Sequence, residues 1–305
     1  MKDYGLVSIL IPVYNREVIV NRAIDSAINQ TYKNIEIVIV DNSSTDNTWE
    51  VIKKRSIEDD RIKVFRNKTN LGPVGNWKQC IDKSSGIYRK FLWSDDEIAP
   101  SFVEKTVEIL ENNKDVGFVY TSVRVITDDS EFITYNNLKS GKTPCDFFVK
   151  SNLFRTHPVP DSPGCAMFRG EDVVHNFRYN IENPYSLDYP RFGAGNDLFF
   201  YLYCCNRYNY FWHISDAMSI FYAGKDSLTM SNRLSNYYQY ARLVFIKDSE
   251  KYYHLYKRYC SYLYVRSESK YLLTNVEFFK NSVVYFGEWI KYKWLQLKIS
   301  IYKTL

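Results

Sequence analysis

Histidine is scarce and cysteine carries no pattern. The four histidines (His157, His175, His213, His254) are scattered, and none stands at ligand spacing from a cysteine, which argues against a structural zinc site. The six cysteines form no CxxC pair. No apolar run approaches the roughly 20 residues that span a bilayer. Met1-Lys-Asp-Tyr-Gly5 leads straight into a strand-like run without a small-residue cleavage site. The expectation is therefore a cytoplasmic chain with reduced thiols. The turn after the first apolar run, Pro12-Val-Tyr-Asn-Arg16, has no glycine, which counts against the phosphate-cradling loop of a nucleotidyltransferase. The net positive charge is confined to one tail. Residues 250–305 hold 10 Lys and Arg against 4 Asp and Glu, a surplus of 6 in a chain whose net charge is +5. A nucleic-acid binder, which needs basic groups across a face or groove, fits poorly.

What is present is a long, aromatic, globular chain. With 305 residues, 45% hydrophobic and 25% charged, it has ample material for a core and no signature of disorder. Aromatics reach 17%, including 27 Tyr, whose apolar rings with polar tips suit wet clefts. Leu6–Val13 and Ile35–Val40 are nearly continuous apolar runs, as in strands buried on both faces. Pro12 is expected to end the first ladder, and Asn15 to cap a helix carrying Val20, Ala23, Ile24, Ala27 and Ile28. Further strands are expected at Ile62–Phe65, Ile87–Trp93 and Gly117–Ile126. Helices are expected near 46–55, 76–83 and 101–111 between them, after a loop over Asn67–Gly75. This alternation predicts an α/β fold: a doubly wound, Rossmann-like, mainly parallel sheet with helices on both faces. Thr127–Asn196 reads as loops with one strand near Cys165–Phe168. A helix over Leu198–Asn206, a strand over Trp212–Tyr222 and helices from 231 onward complete the expectation.

In doubly wound sheets ligands bind beyond the carboxyl ends of the strands. Tyr14, Asp41 and Asp95 each fall just past such an end. The last lies in Phe91-Leu-Trp-Ser-Asp-Asp-Glu-Ile-Ala-Pro100, where three acids follow an apolar run. Adjacent carboxylates repel unless a cation lies between them, and Mg²⁺ or Mn²⁺ carrying a diphosphate suits such oxygen ligands. A solvated acidic turn before a helix is the alternative. Asp197, after Gly193-Ala-Gly-Asn196, reads either as a site carboxylate or as a helix cap.

The first 100 residues resemble the nucleotide-sugar domain of the inverting glycosyltransferases of family 2, which have the GT-A fold. The matching stretches are Val7-Ser-Ile-Leu-Ile-Pro-Val-Tyr-Asn15, Ile37-Val-Ile-Val-Asp41-Asn-Ser-Ser-Thr-Asp46, Asn70-Leu-Gly-Pro-Val-Gly-Asn-Trp77 and Trp93-Ser-Asp-Asp96. Each is weak alone; in this order and at these intervals they are specific, and they cover about a third of the chain. The resemblance implies metal-dependent transfer of one sugar from a nucleotide diphosphate donor, a UDP-sugar by preference. It implies that Pro12, Val13, Tyr14 and Asn15 line the base and ribose pocket and that Asp41 bonds the base. Asn70, Gly72, Asn76 and Ser94 join the donor site, and Asp95 and Asp96 hold Mn²⁺ or Mg²⁺, with Asp95 also at the donor. Asp197 stands at the place of the catalytic base.

Three departures from the family pattern stand out. Asn196 replaces the usual Glu before the base. Gly75 stands where an Arg is frequent. No metal-binding His is evident near Phe221–Thr229, where Lys225 is the candidate for the diphosphate instead; His213 reads as structural. The Gln-x-x-Arg-Trp signature of processive synthases is absent. Residues 1–126 then form the donor half, 127–230 the acceptor and base half, and 231–305 a helical extension. Its basic aromatic end, 282–305, is suited to the inner face of a membrane or to self-association; packing on the domain is the plainer alternative. The expected acceptor is a glycan or lipid-linked glycan of surface-polysaccharide synthesis. A non-catalytic glycan-binding protein is the rival of a different class.

Overall fold

The computed structural model describes residues 2–224 and 234–265. Ten strands form a single sheet: β1 Val7–Val13, β2 Ile35–Asp41, β3 Ile62–Arg66, β4 Tyr88–Phe91, β5 Glu97–Ile98, β6 Val116–Ile126, β7 Glu131–Thr134, β8 Gly141–Pro144, β9 Ala166–Arg169 and β10 Tyr210–Tyr222. Its order is β3-β2-β1-β4-β9-β6-β10-β5, with β7 beside β6 and β8 beside β10. The β3-β2-β1-β4 block is parallel, as is β6 with β10. β9 lies antiparallel between β4 and β6, so the sheet is mixed at its centre. The chain leaves β1 toward β2 and β3 on one side and returns to β4 on the other. That reversal between β1 and β4 is where a crevice opens in this architecture.

Strand alternation sorts the core into two layers. Val7, Ile9, Ile11 and Val13 of β1 pack with α1 (Val20–Ile28), α2 (Thr48–Glu58) and α4 (Phe102–Asn112). Leu10 points to the other face, with Val38 and Val40 of β2. There it meets α3 (Gly72–Lys83), α5 (Cys145–Phe154), α6 (Gly170–Asn176), α8 (Phe199–Arg207), α9 (Ser235–Asp248) and α10 (Tyr256–Val265). A short helix, α7 (Tyr189–Phe192), packs on α3.

Several local expectations are corrected. Pro12 does not end the ladder: β1 continues to Val13, with Pro12 opposite Val40. Val7 donates toward β2, so by alternation the prolyl nitrogen faces the β4 side. There the last register partner is Leu10, and no ladder bond is lost. Asn15 does not cap α1, which begins at Val20 after Ile19. Asn15 adopts a left-handed φ of 50°, and its side chain accepts from the Thr45 N–H at 2.9 Å. α3 begins at Gly72, not at residue 76, with Pro73 in its first turn, where a missing N–H costs nothing. The 127–196 region is more regular than expected, holding β7, β8, α5, α6 and α7 besides β9. Among the described residues no helix is long and apolar enough to cross a membrane. The candidate Lys225, most of the helical extension beyond 265, and its 282–305 end lie outside the described residues.

Candidate active site

At the ends of β1 and β2 a ladder of asparagines fixes the crevice wall. The Asn76 amide donates to the Val40 carbonyl at 3.0 Å and toward that of Val13 at 3.5 Å, holding the two strand ends together. Asn67 donates to Asn76 and to Asn42, and Asn42 donates to Asn70 at 2.9 Å and to the Gly72 carbonyl at 3.2 Å. Asp41 is fully buried. Its carboxylate accepts from the Ser44 N–H and hydroxyl and pairs with Arg66 Nε at 3.0 Å. Val13 is buried, whereas Tyr14 is 40% exposed at the crevice mouth. Pro12, Val13, Tyr14, Asn15, Asp41, Asn70, Gly72 and Asn76 are therefore gathered at one sheet edge. Asn42, Asn67 and Arg66 were not anticipated; Arg66 ends β3 at the same edge, which was the available signal.

The acid pair follows β4. Asp96 is only 6% exposed, which rules out a solvated turn. It accepts one backbone N–H, from Tyr222 at 3.1 Å. Among the described residues neither Asp95 nor Asp96 has an ion-pair partner, while Glu97 has one. Glu97 sits in β5, accepts from the Tyr222 hydroxyl at 2.6 Å and lies 3.6 Å from Arg22. Arg22 also donates to the Asp95 carbonyl and covers the Tyr222 ring at 3.3 Å. Burial, then the charge of Asp95, pushes the Asp96 carboxyl well above its usual range. Behind the pair lies Lys90, fully buried, donating to the carbonyls of Phe91 and Gly164. Burial pushes its ammonium down to about 7, with Cys165 and Asp96 opposing.

A buried, uncompensated carboxylate next to a second one is a poor resting place for two charges and a good one for a divalent cation. Among the described residues no cluster of three or more His, Cys, Asp or Glu is disposed to hold a metal alone. Mg²⁺ is usually held by one or two carboxylates plus substrate phosphates. The donor set thus fits Mg²⁺ or Mn²⁺ at Asp95 and Asp96. Ser94 is buried beside them.

Asp197 precedes α8 and is 5% exposed. Its Oδ1 accepts from the N–H groups of Gly195 at 2.9 Å and Leu198 at 2.8 Å, and its Oδ2 from the Tyr238 hydroxyl at 2.8 Å. Burial raises its carboxyl to about 7, against these three donors. The neighbouring Asn196 explains its own departure from the family pattern. Its amide donates to the carbonyls of Arg178 at 2.8 Å and Tyr179 at 3.2 Å, where a glutamate would set acceptor against acceptor. Gly75 lies so close to Leu71 that a Cβ would sit 2.6 Å from the Leu71 Cβ. His213 is core: it is buried, 4.8 Å from the Tyr120 ring and 3.3 Å from the Ser122 hydroxyl, and burial lowers its pKa.

Trp77 joins these groups. Its ring lies 5.3 Å from that of Trp93, one residue before Ser94, and it abuts Gly193, four residues before Asp197. A Cβ on Gly193 would fall 2.4 Å from Trp77, at a φ of 69°. Gly193→Ala is expected to cost about 1–3 kcal/mol, read as a lowered thermal midpoint; an unchanged midpoint would show that Trp77 yields freely. Trp93 in turn donates to the Ser162 hydroxyl at 2.9 Å.

Residues 8–175 match the family model described as Glycosyl transferase family 2. The UDP-Glc:α-D-GlcNAc-diphosphoundecaprenol β-1,3-glucosyltransferase of Escherichia coli is 38% identical over 123 residues, 40% of this chain and 48% of that one. The chain spans about half the length of the first curated relatives it matches. Among solved structures, S. aureus TarS 1-349 in complex with UDP-GlcNAc superposes with a TM-score of 0.68 at 16% identity, over 94% of this chain and 79% of that one. The mannosyltransferase PcManGT of Pyrobaculum calidifontis, in complex with GDP-Man and Mn²⁺, gives 0.61 at 15% identity, over 88% and 72%. At such identities the likeness is one of fold, and the shared fold is GT-A.

Proposed function

The chain belongs to glycosyltransferase family 2, and from that membership we propose that it transfers one sugar, with inversion, from a UDP-sugar to a lipid-linked glycan acceptor in surface-glycan synthesis. The observation that carries the reading is the contiguity at Trp77, which touches both the loop leading to Asp95 and Asp96 and the loop leading to Asp197. A shared aromatic contact supports the acid pair and a separate buried carboxylate serving one cleft, and opposite-face displacement needs a base on a different element from the diphosphate site.

In this reading Pro12 to Asn15, Asp41, Asn70, Gly72 and Asn76 form the donor wall, and Asp95 and Asp96 hold the divalent ion. When bound, the ion acts as a Lewis acid on the departing diphosphate. Lys225 is a further candidate for that diphosphate. Asp197 takes the proton of the acceptor hydroxyl. Two N–H groups already occupy its Oδ1, while Oδ2 carries one donor, so Oδ2 retains the lone pair for that proton. A carboxyl raised to about 7 is well matched to this work near neutral pH. Residues 1–126 are then the donor half and 127–230 the acceptor half. The relative named above acts on a diphosphoundecaprenol-linked sugar. A similar acceptor here would bring the chain to a bilayer surface, which the basic 282–305 segment suits.

The test is a donor screen reading UDP release, with UDP-glucose and UDP-N-acetylglucosamine first, with Mn²⁺ and with EDTA. Turnover is expected with Mn²⁺ and its loss with EDTA. Turnover indifferent to EDTA removes the metal assignment, and failure to bind UDP removes the donor site. A second arm measures binding to anionic vesicles with and without residues 282–305; equal binding refutes the membrane role of that segment.

A further inference from the structure

The three hydrogen bonds on Asp197 have different origins. Both bonds to Oδ1 come from the backbone of its own loop, Gly195 and Leu198. The bond to Oδ2 comes from Tyr238, 41 residues further on, at 2.8 Å. Oδ2 is the oxygen left free to accept a proton, so the group that sets its direction also sets the direction of proton transfer. Tyr238 is itself held. Arg242, one turn later on α9, places its guanidinium 5.7 Å from the Tyr238 ring centroid. Arg242 is buried and bonded to Asn152 Oδ1 at 2.7 Å and to Asp161 Oδ1 at 2.8 Å. Asp161 further takes Arg155 at 2.6 Å and the Asn152 amide at 2.7 Å. A chain of fixed contacts thus runs from α5 and the loop holding Asp161, through Arg242 and Tyr238, to the carboxylate.

We infer that Tyr238 is a positioning residue for the Asp197 carboxylate, so that α9, which lies outside the 8–175 family match, completes the catalytic site. The inference rests on Asp197 being the base. A phenol that donates to a carboxylate favours its charged form. Removing that donor should therefore make the carboxylate harder to ionise and leave Oδ2 free to turn. The other groups felt at Asp197 do not cancel this. Asp161 adds negative charge, and it stays ionised because, against the cost of burial, Arg242 and Arg155 hold its carboxyl below the usual range. Tyr135 also feels Asp197, and burial keeps its phenol neutral far above neutral pH. Burial likewise keeps Tyr238 neutral, and Asp197 adds to that effect.

The test follows the ¹³Cγ resonance of Asp197 in the full chain, identified by its absence from Asp197→Asn. Its titration midpoint is read in wild type, Tyr238→Phe and Tyr237→Phe. The expected result is an upward move of about one pH unit for Tyr238→Phe, the scale of one hydrogen bond to a charged group, and none for Tyr237→Phe. UDP release from UDP-glucose or UDP-N-acetylglucosamine supplies a second readout. The acid limb of kcat/KM should move by the same interval, with the loss largest below pH 7 and small at pH 9. A midpoint that stays in place in a folded Tyr238→Phe, or a loss equal at every pH, overturns the inference. A midpoint that moves while Asp197→Asn retains full UDP release supports the hold by Tyr238 and refutes the base assignment beneath it.

Discussion

Asp197→Asn is expected to lower sugar transfer at pH 8 by about 10²–10⁴-fold, the range that general-base catalysis supplies, while UDP binding stays within a few-fold of wild type. The substitution is close to isosteric, and the loop should survive it. Asn Oδ1 can still accept from Gly195 and Leu198, and its amide would face a Tyr238 hydroxyl able to turn and accept. What disappears is the basic lone pair on Oδ2. Stability should move the opposite way. The folded carboxyl is raised from 3.8 to about 7, so the folded state binds this proton more tightly than the unfolded chain. That preference is fully present below about pH 4, fades as pH rises toward 7, and above 7 leaves a buried charge opposing folding. Asp197→Asn should therefore stabilise the fold at pH 8 by about 1–3 kcal/mol, read as a raised thermal midpoint, and bring little gain at pH 4. Transfer within tenfold of wild type would remove Asp197 from the chemistry, and a midpoint lowered at pH 8 would show that the carboxylate is chiefly structural.

The sheet was legible because its central strands are buried on both faces: β1 and β2 are almost unbroken apolar runs, which little else in a chain this size explains. The strand-end residues could be named for the same reason, since a run that stops at Asp41 or before Asp95 marks its own carboxyl end. The helix starts were harder. Asn15 looked like a cap by residue type, yet its side chain was committed to Thr45, 30 residues away, a pairing that only the folded crevice creates. Glu97 read as part of an acidic triplet because sequence adjacency hides alternation: in β5 it points to Arg22 and Tyr222 while Asp96 turns inward. Residues 127–196 looked irregular because β7, β8 and β9 have only four residues each and prolines stand at 144, 158, 160 and 163 around α5 and before β9, and their order comes from packing against α8 and the sheet rather than from local propensity. The environment of Asp197 was illegible in principle. Nothing near Gly193–Asp197 announces that a tyrosine on α9 reaches its carboxylate.

Asp96→Asn separates the cost of holding the acid pair from its use. In the metal-free protein Asp96 has burial and the charge of Asp95 against it and, among the described residues, the Tyr222 N–H, with Lys90 and Arg22 at longer range, in its favour. Removing its charge relieves that repulsion, so the metal-free variant should melt at or above the wild-type temperature at pH 8. A divalent ion reverses the balance, because two adjacent carboxylates then face two positive charges. Making one of them neutral should weaken Mn²⁺ affinity in the presence of UDP by about 100-fold, roughly 3 kcal/mol, and UDP release should fall with it. Protons compete with the ion for the raised carboxyl. Wild-type Mn²⁺ affinity should thus be lower at acid than at alkaline pH, and in Asp96→Asn that difference should shrink. Calorimetric titration of Mn²⁺ into the UDP-saturated proteins at both pH values, beside melts with EDTA and with Mn²⁺ plus UDP, reads all three effects. An Asp96→Asn protein that melts lower without metal would mean the carboxylate is stabilising through a bond to a residue, and the cation site would have to move. One that keeps the wild-type Mn²⁺ affinity would leave Asp95 as the sole protein ligand. Asp95 is less buried than Asp96, and its carbonyl already receives Arg22. Asp95→Asn should therefore give the same loss of metal with a smaller gain in stability, since it relieves the shared repulsion but not the burial of the Asp96 charge.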